Sequence, residues 1–252
     1  MSSHKINISV VSYLNARPFV YGLEEKLDTN TFILSKDIPS VCSEKLINNS
    51  VDIGLIPVAT IPKLAESHII TSYGIASFGK VESVILVSKV PLKEIQQITL
   101  DMESRTSVLL AKILAKELWE IHPEWILEKR NSDSDNLDQA EAAVIIGDRA
   151  LKYKSKFSFV YDLSEGWKEL TGLPFVFAVW VSNKKIRPEF IQDIENALEY
   201  GVGKIDVILQ TVKSEHSALD VNTYLKERIK YKIGEEEKKG MNLFLEKIRA
   251  IA

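Results

Sequence analysis

The sequence predicts an α/β protein of two lobes with a ligand cleft between them, and three observations carry that expectation. Strand-like and helix-like segments alternate from the N-terminus through about Leu64. Two strand systems follow one another, one before Lys89 and one from Ile98 to Ile146, each followed by helices. A continuous apolar run, Phe175 to Val181, is placed to carry the chain back to the first system. The lobes expected on this basis are residues 1–91 with 180–252, discontinuous, and 92–179, inserted.

Ile6, Ile8 and Val10 alternate with polar residues and Val11 extends the run, so a strand enters a sheet and stops at Ser12. Pro18 opens a helix, because proline is best tolerated in a first turn, and Phe19, Leu23 and Leu27 recur at helical spacing. Ser12 to Arg17 is then a loop at a strand's carboxyl end beside a helix N-terminus. There Asn15 offers an amide with donor and acceptor, Arg17 a fixed charge, and the free backbone N–H groups an anion site. Plain turn and capping roles would also account for both side chains.

Pro39 to Asn48 reads as a helix with Val41, Cys42, Leu46 and Ile47 on one side and Ser40 as its cap. After a polar turn, Val51 to Ile56 is a buried strand, and Pro57 to Thr60 a second strand-end loop that leads into a short helix around Leu64. This alternation implies a mostly parallel sheet whose ligand crevice lies at the carboxyl ends of its strands. Ile69–Ala76 and Ser83–Ser88 are further strands, with Glu82 and Ser83 at the mouth of the second and a crossing point at Lys89–Pro91.

Ile98 to Leu100 is a strand whose following loop, Asp101 to Ser107, runs into a helix from Val108 to Glu120, with Leu109, Leu110, Ile113, Leu114 and Leu118 as its apolar face. Ser104 and Thr106 suit capping, the N–H groups of Thr106 and Ser107 form a second anion site, and Arg105 stands beside them. Residues 131–138 are a polar, acidic loop. Ala142 to Ile146 is a buried strand, and Gly147 to Leu151 opens a short helix in which Asp148 is either a cap or a ligand contact. The remainder reads as helix: Pro188 to about Gln210, Asn222 to Tyr231, and Gly234 or Glu235 to Ile251, with Ile191, Ile194, Leu198, Met241, Phe244, Leu245 and Ile248 inward. The run Glu235–Lys239 is expected to be a solvated face.

With 252 residues and 45% hydrophobic content the chain can bury a sizeable core. A net charge of −3 without a dense basic face argues against nucleic acid, and nothing in the charge pattern points to a membrane. The first residues lead straight into a short alternating strand, so no secretory signal is expected and a cytoplasmic location is. One cysteine, Cys42, excludes an intrachain disulfide framework, and four scattered histidines give no metal-ligand spacing, so no metal is expected.

Six segments occur together in order: Val-Ser-Tyr-Leu-Asn-Ala-Arg-Pro (11–18), Val-Asp-Ile-Gly-Leu-Ile-Pro (51–57), Val-Glu-Ser-Val-Ile-Leu-Val-Ser-Lys (81–89), Ser-Arg-Thr-Ser (104–107), Ile-Ile-Gly-Asp-Arg-Ala-Leu (145–151) and the stretch Trp167 to Trp180. In these the chain resembles the MqnA family, the chorismate dehydratases of the futalosine route to menaquinone. The tail segments Tyr224–Ile229 and Gly240–Leu245 fit the same family, so the resemblance spans nearly the whole chain. Two positions depart from its pattern, Val58 where serine is common and Lys80 where proline is.

The resemblance implies a periplasmic-binding-protein type II-like fold kept in the cytoplasm, and a lyase that converts chorismate, a small dianion, to 3-[(1-carboxyvinyl)oxy]benzoate and water without a cofactor. Asn15 and Ser83 are then the residues expected nearest the reacting atoms. Arg17, Ser104, Arg105, Thr106, Ser107, Gly147 and Asp148 are expected to bind the substrate's anionic and hydroxyl groups. No histidine stands in a matched strand-end motif as a base, which is compatible with the substrate's own enolpyruvyl carboxylate taking the proton. Two alternatives remain: the related MqnD-type dihydroxynaphthoate synthase, whose catalytic-histidine motif is not evident after the Ile98 strand, and a non-catalytic small-anion-binding protein of the same fold.

Overall fold

A computed structural model describes residues 5–101, 105–128, 136–212 and 220–251. Eleven strands among them form two mixed sheets. The first sheet contains β1 (Ile6–Val11), β2 (Phe32–Asp37), β3 (Ile53–Pro57), β4 (His68–Ser77), β10 (Phe175–Ser182) and β11 (Lys230–Lys232), in the order β11-β4-β10-β3-β1-β2. The second contains β5 (Val84–Ser88), β6 (Gln97–Asp101), β7 (Glu124–Glu128), β8 (Ala142–Ile146) and β9 (Phe159–Asp162), in the order β7-β6-β8-β5-β9. The helices are α1 (Arg17–Lys26), α2 (Pro39–Ile47), α3 (Arg105–Glu117), α4 (Asp148–Tyr153), α5 (Leu163–Thr171), α6 (Pro188–Val202), α7 (Ile205–Val212), α8 (Val221–Thr223) and α9 (Glu235–Ile251).

The expected mostly parallel sheet is a mixed one. β1 pairs in parallel with β2 and β3, but β10 returns from the second sheet running the other way and inserts antiparallel between β3 and β4, with Ala178 opposite Pro57 and Phe175 opposite Ser77. The Val84–Ser88 strand, which a division after residue 91 would group with the first strand system, pairs with β8 and β9 of the second sheet. The chain therefore passes between sheets twice, at residues 78–83 and along α5 to Leu173–Pro174.

Several elements differ from expectation for local reasons. α3 begins at Arg105 rather than Val108, so Thr106 and Ser107 form its first turn. Ser40 lies inside α2, where Ile38 is the N-cap and no side chain caps. The helix expected from Pro188 to Gln210 breaks at Gly203, because glycines at 201 and 203 weaken it. The segment expected as helix from Asn222 to Tyr231 is α8, a π-helical turn Tyr224–Arg228 and then β11, whose Lys230-Tyr231-Lys232 alternates exposed, buried, exposed. β7, β9 and α5 were not anticipated; Asp162 caps α5, accepting from the N–H groups of Ser164 and Glu165. Glu237 of the supposedly solvated run is buried, bonded to Lys230 Nζ and the Gly234 N–H.

The apolar core runs through both sheets, from Ile8, Phe19 and Leu55 to Ile98, Leu114 and Val144. α1 crosses α6 glycine on glycine: a Cβ on Gly22 or Gly201 would collide with the backbone carbonyl of Ala197 or Pro18. That close approach fixes α1, and with it the loop that carries Asn15, against the body of the first sheet.

Candidate functional site

Loops from both sheets converge on one pocket that is partly open to solvent. The carboxyl end of β1 supplies Val11, Tyr13 and Asn15; the first crossover supplies Val81 and Ser83; the start of α3 supplies Thr106 and Ser107; and the end of β8 supplies Ile146 and Gly147. Pro57, Ile75, Phe177 and Ala178 complete an apolar wall. An apolar cavity with a few convergent polar groups is the usual form of a small-molecule site.

Asn15 sits in a 3-10 turn, Leu14–Ala16, that joins β1 to α1. Its Nδ2 donates to the Tyr224 hydroxyl at 3.3 Å, while Oδ1 is buried with no hydrogen-bond partner among the described residues. The Tyr224 hydroxyl in turn donates to Ser83 Oγ at 2.8 Å, and Ser83 is 1% exposed. Burial pushes the Tyr224 phenol well above its ordinary value, against the pull of its bonds to Ser83 and Asn15, so it stays protonated. Thr106 and Ser107 are buried in the first turn of α3, with Thr106 Oγ1 accepting from the Ala59 N–H at 3.2 Å. The N–H groups of a first turn have no partner within their own helix, and with the helix dipole they favour an anion there. Gly147 has φ +64°, a conformation that favours glycine, and a Cβ on it would stand 3.0 Å from the Tyr13 ring, which would have to shift.

The other expected site residues lie elsewhere or outside the described residues. Ser104 falls outside them. Arg105 does not line the pocket; its guanidinium stands 3.5 Å from Glu44 Oε1. Arg17 lines not this pocket but an open depression beside it, which shares Val11 and Tyr13 with it and is bounded by Ser12, Tyr21, Glu24 and Lys36. Asp148 does not cap α4, whose N-cap is Gly147; its Oδ1 accepts from the Leu14 N–H at 3.4 Å and so ties the end of β8 to the Asn15 turn. Sequence reasoning missed Tyr224 and Tyr13 as site residues. Tyr13 lies inside the Ser-Tyr-Leu-Asn segment and Tyr224 opens the Tyr224–Ile229 tail segment, but nothing in the latter shows that it folds against Asn15, 209 residues before it.

The crossover that carries Ser83 is held by a second cluster. Asp162 Oδ2 accepts from the N–H groups of Val81 and Glu82 at 2.9 and 2.7 Å while Oδ1 caps α5. Glu82 has φ +66°, and its carboxylate pairs with Lys154 at 3.0 Å and Arg228 at 3.7 Å. No helix among the described residues is long and apolar enough to cross a membrane, and among them no group of three His, Cys, Asp or Glu gathers as for a metal ion.

Comparison with known proteins agrees with this architecture. The profile of a family described as menaquinone biosynthesis matches residues 6–250. A chorismate dehydratase of Thermus thermophilus is 27% identical over 263 residues, covering 91% of this chain and 95% of that protein. Among solved structures, protein AF1704 of Archaeoglobus fulgidus superposes with a TM-score of 0.77 at 16% identity, covering 100% of this chain and 99% of that one. The periplasmic aliphatic sulphonate binding protein SsuA of Escherichia coli superposes with a TM-score of 0.62 at 17% identity, over 98% and 94% of the two chains. The fold is the two-lobed periplasmic-binding-protein type, built on the two sheets.

Proposed function

This chain belongs to the menaquinone biosynthesis family, and on that premise we propose that it is a lyase that dehydrates chorismate to 3-[(1-carboxyvinyl)oxy]benzoate and water. The observation that carries the reading is the make-up of the pocket: a neutral amide, hydroxyls and a helix N-terminus, with no carboxylate, imidazole or amine among the described residues that line it. Such a site orients an anion and leaves the proton transfer to the substrate.

The reaction removes a hydrogen from the ring carbon that bears the ether and the hydroxyl from its neighbour, forming the third ring double bond. Aromatisation makes it downhill, so the protein's task is to choose this path over rearrangement of the enolpyruvyl group across the ring. One substrate carboxylate sits at the α3 N-terminus, held by the N–H groups and hydroxyls of Thr106 and Ser107. The ring lies against Phe177, Ile75 and Val81, and the leaving hydroxyl lies at Asn15 and Ser83. With its ring carboxylate pinned, the enolpyruvyl carboxylate reaches the adjacent C–H as the base and passes the proton to the departing hydroxyl. In this reading the lobes follow the sheets, the first ending near Ser77 and resuming near Phe175, and the two crossovers serve as the hinge. Gly147 closes against Tyr13 at the seam between them.

Purified protein incubated with chorismate, with no cofactor added, should yield the enolpyruvyl benzoate ether by chromatography with mass detection. Chorismate recovered intact would remove the reading.

A further inference from the structure

A phenol hydroxyl has one proton to give, and in Tyr224 it goes to Ser83 Oγ. Its oxygen meanwhile accepts from Asn15 Nδ2. Two consequences follow for the pocket. Ser83 cannot donate back along the same contact, so its own proton turns to the cavity, where no described residue accepts it. The Asn15 amide is held with Nδ2 toward Tyr224, which leaves Oδ1, buried and unpartnered, as an acceptor. The pocket thus presents one donor and one acceptor side by side, the pair that a substrate hydroxyl satisfies at once by accepting from Ser83 and donating to Asn15.

Resting on the dehydratase reading, we propose that Tyr224 is a positioning residue which sets this polarity, fixing Ser83 as donor and Asn15 as acceptor toward the leaving hydroxyl. A donor on that oxygen assists its departure as water, while the acceptor turns its lone pair toward Ser83. The geometry around Tyr224 is built to hold it. The residue is buried at 1% exposure and opens a five-residue π-helical turn, a form that often marks functional positions because it re-aims a side chain. The same turn is pinned to the Ser83 crossover at its other end, where Arg228 Nε stands 3.7 Å from Glu82 Oε2. Opposite polarity, with Ser83 donating to Tyr224 and Tyr224 to the Asn15 oxygen, would present an acceptor at Ser83 and a donor at Asn15. It would leave Ser83 with no proton for the leaving group.

The test compares wild type, Tyr224→Phe, Ser83→Ala and the double variant for kcat, KM and melting temperature with chorismate. Tyr224→Phe should lower kcat at least about tenfold with KM within about threefold, and adding it to Ser83→Ala should cost clearly less than it costs wild type, because the part of its effect that passes through Ser83 is already lost. Losses that multiply in the double variant, or an unchanged kcat in Tyr224→Phe, would overturn the proposal. If Tyr224→Phe does not fold, a polyfluorinated tyrosine at position 224 keeps the ring and hydroxyl but makes the phenol far more acidic. Its kcat should then fall as pH rises through the new ionisation, since a phenolate cannot donate, whereas a pH profile matching wild type would sink the idea. A wild type that leaves chorismate intact fails the dehydratase reading itself and takes this inference with it.

Discussion

Asp162 and Asn15 stand at the same junction between the two sheets and treat hydrogen bonding in opposite ways. The Asp162 carboxylate is saturated: each oxygen takes two backbone N–H groups, from Val81 and Glu82 on one side and Ser164 and Glu165 on the other. The Asn15 amide is half used, its Nδ2 bound to Tyr224 and its Oδ1 buried without a partner. Buried polar groups are normally paired because leaving one unpaired costs about 1–3 kcal/mol. A saturated group holds the backbone in place, and an unsaturated one at a pocket wall is held open for a ligand. Variants at the two positions should therefore fail in different measurements.

Asn15→Asp should give the largest effect. It keeps size and turn propensity but adds a negative charge beside a dianionic substrate, and the carboxylate would draw the Tyr224 proton away from Ser83. Turnover of chorismate should fall about a hundredfold or more, equivalent to about 2.7 kcal/mol, with little change in the melting curve. Near-normal turnover, or a loss matched by a large drop in melting temperature, would place Asn15 with Asp162 as scaffold and dissolve the comparison.

Asp162→Asn should do the reverse. The substituted amide nitrogen faces two backbone N–H groups that have lost their acceptor, so stability should fall by about 1–3 kcal/mol and the melting temperature by roughly 2–12 °C. Turnover per folded molecule should change less than in Asn15→Asp. A melting temperature equal to wild type would show that the crossover does not depend on this carboxylate.

Most of the fold was legible because its signals are local. Apolar runs such as Ala142–Ile146 and Phe175–Val181 marked buried strands, and Pro18, Pro39 and Pro188 marked helix starts within a residue. Strand order was not legible, since the antiparallel insertion of β10 between β3 and β4 is decided by pairing across more than a hundred residues. The same limit applies at the pocket. Asn15, Ser83, Thr106, Ser107 and Gly147 sit at strand or helix ends that sequence periodicity can find, and all five line the cavity. Tyr224 sits in a turn that periodicity reads as ordinary helix, and only the folded chain brings it to Ser83. Arg105 shows another limit: its guanidinium stands beside Glu44, and a position in sequence says nothing about which way a long side chain turns.

Asp37 sharpens the scaffold side of the comparison, since it is saturated by a charge rather than by backbone. Burial raises its carboxyl, but hydrogen bonds from Lys45, Ser35 and Ser9 outweigh that and hold it below its ordinary value. A carboxyl lowered on folding contributes stability above its unfolded pKa, and that contribution is lost as pH falls through the folded one. Wild type should therefore lose stability in acid below about pH 4, and Asp37→Asn should show a lower melting temperature at neutral pH with a shallower acid limb. Parallel acid limbs in the two proteins would mean that the Lys45 pair contributes nothing to folding.

The smallest effect is expected at Arg105, and it separates two ways of holding an anion at the start of α3. The guanidinium stands 3.5 Å from Glu44, whose side chain is 59% exposed, and an ion pair in that setting is worth little. The anion site proper consists of the first-turn N–H groups with the buried hydroxyls of Thr106 and Ser107. Those donors are fixed by the helix, whereas the arginine would have to leave Glu44 and turn inward at a cost in side-chain entropy. Arg105→Ala should thus change KM by less than about threefold, while Ser107→Ala, which removes a buried donor aimed at the pocket, should raise it by about tenfold. Measured under one set of salt conditions, the pair of KM values decides between the two. A rise of about tenfold or more in Arg105→Ala would mean that the guanidinium swings onto the substrate when the cleft closes, and that the helix terminus alone does not suffice to hold a carboxylate.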